Sequence, residues 1–167
     1  MRWLRWMVPI LAAAVALVTG AGSAAAATTY TDSISGYEYA ATSTQGSFAG
    51  TASGNLPGYW HATVDHTPLS TSAVITGGGF YLATYLNGAR TVTGVFTGGT
   101  VTQTSGSSGC VNQQYTVVGD LGSVGFGSTG TGTGNFTGTL THYRTKILGY
   151  CTTYSARITG SLTLAPS

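Results

Sequence analysis

After Ala27, apolar and polar residues alternate with a period of two wherever apolar residues occur. Trp60 to His66, Tyr81 to Leu86, Thr91 to Phe96, Tyr115 to Val118, Phe136 to Thr145 and Tyr154 to Leu164 are rich in Thr, Val, Tyr and Phe, and clusters of Gly, Ser and Asn separate them. No window carries the i, i+3, i+4, i+7 stripe of a surface helix, so the pattern predicts short antiparallel strands and no helix longer than two turns. Asn87-Gly88 is the strongest hairpin signal, since both central residues of a two-residue turn must take positive φ. Eight to nine strands are expected in the chain. That number suits a single antiparallel β-barrel of about eight strands, or alternatively a two-sheet β-sandwich. Closure would remove the exposed edges of a chain with few charges to guard them.

A short pattern recurs along the predicted strands. Gly46-Ser47-Phe48-Ala49-Gly50, Gly94-Val95-Phe96-Thr97-Gly98 and Gly134-Asn135-Phe136-Thr137-Gly138 each read Gly-x-Phe-x-Gly. Residues two apart share a strand face, so each ring is flanked on its own side by two positions without a side chain. Strands that bend sharply, with an aromatic ring covering bare backbone, fit this arrangement. Ser128 to Gly134 alternates Gly with Thr and Ser and reads as a flexible connection into the Phe136 strand.

The N-terminal segment has a different character. Arg2 and Arg5 precede a nearly all-apolar run from Met7 to Val18, and small residues follow around an Ala-x-Ala site. This is the pattern of a secretory signal peptide over residues 1–26, with cleavage after Ala26, leaving 27–167 as a single all-β domain. The apolar run is too short to cross a bilayer of about 30 Å as a helix, so no membrane span is expected in the mature protein. Once Arg2 and Arg5 are removed, Arg90, Arg144, Lys146 and Arg157 balance Asp32, Glu38, Asp65 and Asp120. A neutral chain lacks the basic stripe that nucleic-acid binding needs, and gains no net attraction to an anionic membrane.

Both cysteines, Cys110 and Cys151, lie in the exported part, where an even count and an oxidising compartment favour one disulfide. Closing that loop would stabilise the fold by about 4 kcal/mol in the chain-entropy account. Neither cysteine has a histidine in its local sequence, which argues against a catalytic thiol.

Gly132-Thr133-Gly134-Asn135-Phe136, followed by Thr137-Gly138-Thr139, resembles the Gly-Thr-Gly-x-Phe strand entry of the allene oxide cyclase and dirigent-type barrels. The resemblance implies a small eight-stranded barrel, often exported in the dirigent branch, that encloses a hydrophobic small molecule and guides cyclisation or radical coupling. It carries no catalytic residue onto this chain.

Candidate chemistry comes from face alternation. Phe136, Gly138, Leu140, His142 and Arg144 share one face, and Trp60, Ala62, Val64 and His66 share another. If both strands line one cavity, Trp60, His66, His142 and Arg144 form its aromatic wall and polar groups. Arg144 would then hold an anionic group of an otherwise apolar ligand. His61 and Asp65 are about 13 Å apart on one strand and cannot pair directly. Asp120 reads as part of a Gly-Asp-Leu-Gly turn, and Asn135-Phe136-Thr137 is a sequon that falls inside a strand. Serine-hydrolase, zinc-protease and structural-zinc patterns do not occur, so neither a cofactor, a metal nor a catalytic residue is assigned. Two function classes remain. The preferred one is a secreted, non-catalytic β-barrel that binds a small hydrophobic ligand or acts at the cell surface. The other is a cofactor-free barrel enzyme, cyclase- or isomerase-like, acting on a hydrophobic small molecule.

Overall fold

A computed structural model describes residues 28–85, 90–127 and 131–167. The N-terminal segment 1–26, the Asn87-Gly88 turn and the stretch 128–130 lie outside the described residues. Eight strands follow in chain order: β1 (Tyr30–Ala41), β2 (Gln45–Gly54), β3 (Gly58–His66), β4 (Ser72–Thr84), β5 (Thr91–Ser105), β6 (Gln113–Phe126), β7 (Gly132–Ile147) and β8 (Tyr150–Pro166). Each pairs antiparallel with the next, and β8 pairs antiparallel with β1, closing the barrel. The fold is a barrel and not a two-sheet sandwich. No helix occurs among the described residues.

Two local readings change. Gly132, Thr133 and Gly134 are not a flexible connection but the start of β7, paired with Pro166, Ala165 and Leu164. Their lack of apolar side chains hides a strand that is held by its pairing with β8. Asp120 is not in a turn but mid-strand in β6, where it accepts a hydrogen bond from Asn135 Nδ2 at 3.0 Å on β7. Its flanking Gly119 and Leu121 occupy the inner face, which the Gly-Asp-Leu-Gly string does not reveal.

Inward positions are mainly apolar and outward ones are mainly Thr and Ser, the inverse of a membrane-spanning barrel with its lipid-facing apolar band. The rings inside fit because glycine stands against them. A methyl group built at Gly46 would lie 2.8 Å from Phe48, and one at Gly160 would lie 2.6 Å from Phe136. For Phe96 the bare position is Gly119 on the neighbouring β6, at 3.0 Å, and not its flanking Gly94.

An up-and-down barrel sends alternate turns to opposite ends. Residues 42–44, 67–71, 106–112 and 148–149 mark one end, here called the mouth, and residues 55–57 with both ends of the barrel chain mark the other, the floor. The fully buried side chains Leu82, Val92, Val124, Leu162 and Leu164 gather towards the floor. Each such leucine contributes about 1.5–3 kcal/mol by leaving water. Cys110, in the 106–112 turn, and Cys151, on β8, are disulfide-bonded with Cα atoms 5.5 Å apart.

Asp32 faces inward near the floor and is 1% exposed. Its Oδ1 accepts the Leu56 N–H at 2.7 Å, tying the β2–β3 turn to β1, while Oδ2 is buried without a partner. Burial raises this carboxyl above the usual carboxylate range, and the Leu56 bond only partly offsets it. The folded barrel therefore holds the Asp32 proton more tightly than the unfolded chain does. Stability contributed at low pH is lost as pH rises from about 4 through the raised value. Asp32→Asn keeps the acceptor for Leu56 and should flatten this part of the profile, as read from urea midpoints across a pH series. An unchanged profile would assign the pH dependence to other groups. Gly160→Ala, which drives a methyl into Phe136 and the Thr137 carbonyl, should lower stability by about 1–3 kcal/mol in the same assay.

Candidate functional site

The mouth half of the barrel is hollow. A cavity of about 250 Å³ lies there, with Phe48, Trp60, Phe80, Phe96, Phe136 and Ile158 among its apolar walls. Each wall residue is placed by the inward phase of its strand. Trp60 donates its indole N–H to the Thr51 carbonyl at 3.1 Å and stacks on Phe80 with ring centroids 6.5 Å apart. Its polar atom is therefore satisfied by backbone, and the ring is left as an apolar wall. Gly36 makes room behind it, since a methyl there would lie 2.7 Å from the indole.

The polar groups sit at the rim. His142 on β7 and Glu38 on β1 face each other across β8, with Nε2 3.2 Å from Glu38 Oε2 and side chains 17% and 11% exposed. The two are close but out of line for a hydrogen bond, so Nε2 is buried without an aligned partner. The ring of Tyr115 packs beside His142 at a centroid distance of 5.3 Å, and its hydroxyl donates to Gln113 Oε1 at 3.1 Å. Burial pushes the Tyr115 phenol up, Arg144 opposes this and Glu38 adds to it. The phenol is held in its protonated form.

Of the residues singled out in the sequence, Trp60, His66 and His142 line this cavity and Arg144 does not. A bulge between Tyr143 and Arg144 breaks the alternation one residue beyond His142. The Arg144 backbone N–H donates to Asn112 Oδ1 at 3.1 Å in the 106–112 turn. His66 also follows a bulge, between Asp65 and His66, yet remains at the rim, where its Nδ1 donates to the Thr67 carbonyl at 2.8 Å. His61 points outward and stacks on Tyr81. Asp65 accepts from Gln45 Nε2 at 2.7 Å.

Glu38 is the site residue that sequence reasoning missed. Asp32, Ile34, Gly36 and Glu38 share a face of β1, which placed Glu38 inward, but only Ile34 among them is apolar. A second hollow, of about 340 Å³, opens where β1 and β8 part beyond the last pair, Tyr37 with Arg157. Glu38 and His142 line this cleft as well as the cavity, so the pair forms a partition between them. Among the described residues no three of His, Cys, Asp and Glu come together as a metal set. The imidazole and carboxylate can hydrogen-bond a ligand oxygen or pass a proton to it. Compared with family models, curated proteins and solved structures, the chain matches none.

Proposed function

We propose that the protein is an exported, non-catalytic barrel that binds a small apolar molecule carrying one hydrogen-bonding oxygen. The observation that carries this reading is an apolar cavity whose polar groups are confined to its mouth, where His142 and Glu38 lie side by side and the Nδ1 of His66 is already engaged by the Thr67 carbonyl. Its volume is just below the range of about 300–1,000 Å³ typical of small-molecule pockets, which favours a compact ligand. The ligand's apolar body would lie among Trp60, Phe80 and Phe136, and its oxygen would meet Nε2 of His142. Arg144, off the cavity wall, leaves the anionic group expected from the sequence without a guanidinium partner inside. Export is supported by the disulfide and by the apolar N-terminal pattern.

Trp60 is the sole tryptophan of the chain from Ala27 on, so its emission reports on the cavity directly. An environment-sensitive apolar dye should bind that chain, alter Trp60 emission and be displaced by compact apolar alcohols or acids. Ala62→Leu extends a wall residue into the hollow and should weaken dye binding about tenfold or more, with the circular dichroism of the barrel retained. Undiminished dye binding in that variant, or none in the parent chain, would remove the cavity as a ligand site.

One observation favours the second reading, a cofactor-free cyclase or isomerase: the carboxylate beside the imidazole could serve a proton transfer. In that case His142→Gln should retain dye binding while losing conversion of a bound compound to an isomer of equal mass.

A further inference from the structure

The β7–β8 hairpin outruns the barrel. β6 leaves β7 at the pair Gln113 with His142, and β1 leaves β8 at Tyr37 with Arg157, yet β7 and β8 stay paired with each other to Ile147 and Tyr150. The five residues from Tyr143 to Ile147 carry the ribbon roughly 16 Å along the strand beyond its last pair with β6, at about 3.3 Å per residue. It is braced by the disulfide from Cys151 to Cys110 and by the bond from Arg144 N–H to Asn112. The ribbon is therefore a stiff projection.

Its tip is unusual in both conformation and chemistry. Leu148 and Gly149 take φ of +50° and +88°, the two positive values of a hairpin turn that favours Asn-Gly. A leucine held in that region is strained, and strain of this kind persists at sites that use the residue. The Leu148 side chain is 93% exposed, Tyr150 is 78% exposed, and Ile147 and Val111 are also exposed. Set back from this point are Lys146 and Arg144, and the run 143–154 contains no carboxylate.

We propose that this tip docks on an anionic lipid surface. Leu148 and Ile147 would enter the acyl boundary, Tyr150 would lie at headgroup level, and Lys146 and Arg144 would meet lipid phosphates. That sequence of groups, from apolar point to aromatic to cation, follows the polarity of a bilayer from inside outward. A convex two-strand tip cannot cover the roughly 800 Å² per partner of a standard protein interface, whereas lipid closes around a narrow projection. The neutral balance of the chain after residue 26 does not oppose the contact, because none of its four carboxylates is on the ribbon: Asp32 lies towards the floor, Glu38 faces His142, Asp65 on β3 accepts from Gln45, and Asp120 is mid-strand in β6. Docking of the tip does not depend on whether the cavity holds a ligand.

Co-sedimentation with phosphatidylcholine vesicles, with and without phosphatidylglycerol, tests this. The chain from Ala27 is used, because the barrel begins at Tyr30 and the apolar N-terminal run would itself partition into lipid. Leu148→Asn supplies the residue that the turn favours, so it should fold at least as well while losing the apolar point. The parent chain should sediment with the anionic vesicles, Leu148→Asn should partition about tenfold or more weakly, and Lys146→Gln should lose affinity for the anionic vesicles only. A thermal unfolding midpoint no lower than the parent's, with dye binding retained, in Leu148→Asn would show that lipid contact alone had been lost. Absence of sedimentation with either vesicle, or equal partition of Leu148→Asn and parent, would overturn the proposal. So would self-association lost in Leu148→Asn without vesicle binding, which would assign the tip to a second copy of the chain.

Discussion

Rings packed over glycine make this barrel possible. Eight strands closed on themselves leave an interior just wide enough for side chains, and five of those side chains here are Phe48, Trp60, Phe80, Phe96 and Phe136. Such rings cannot face one another across a filled layer unless some inward positions are empty. Gly36, Gly46, Gly119 and Gly160 supply the empty positions. The same complementarity decides where the barrel is solid and where it is hollow. Aliphatic Leu and Val residues fill the floor, whereas the rigid rings towards the mouth leave a residual space between them.

That space has an apolar body and a polar lip for reasons that lie in the strands themselves. Trp60 spends its indole N–H on the Thr51 carbonyl and so adds no polarity to the wall. His142 occupies the last pair of β7 with β6, and Glu38 lies one residue beyond the last pair of β1 with β8, both inward at the boundary between packed interior and water. A histidine placed deeper would be costly to desolvate, and one placed further out would be bathed in solvent. The side cleft adjoining the pair arises from the same loss of pairing between β1 and β8.

Much of this was legible in the residues, and the parts that were not share a cause. Alternation in β3, β5, β7 and β8 is carried by Val, Leu, Ile and aromatic residues, so strand and face could be read together. Gly-x-Phe-x-Gly reported the ring-on-glycine packing, although it assigned the wrong glycine to Phe96. β1 was silent because its inward set is Asp32, Ile34, Gly36 and Glu38, chosen for a floor contact, a ring and a rim. Asp120 looked like a turn because glycine serves here as space inside a strand. Arg144 was misplaced by a bulge, which no residue type at that point announces. The contact of Glu38 with His142 joins β1 to β7 across β8, and alternation within either strand carries no information about the other.

The seam between β1 and β8 has a consequence for how the molecule comes into being. It pairs Tyr30 with Leu164, the most distant partners along the barrel chain, whereas every other pairing joins strands that follow each other. Joining such remote ends costs the most chain entropy and belongs late in folding. With the seam open, the sheet would be a ribbon with two free edges and its rings exposed, and Glu38 and His142 would be on separate flanks. The disulfide joins Cys110 to Cys151 without crossing the seam, so oxidation can precede closure and shorten the search that closure requires. Cavity, polar pair and protected edges therefore all depend on the one seam, and a sheet left open there would have none of them.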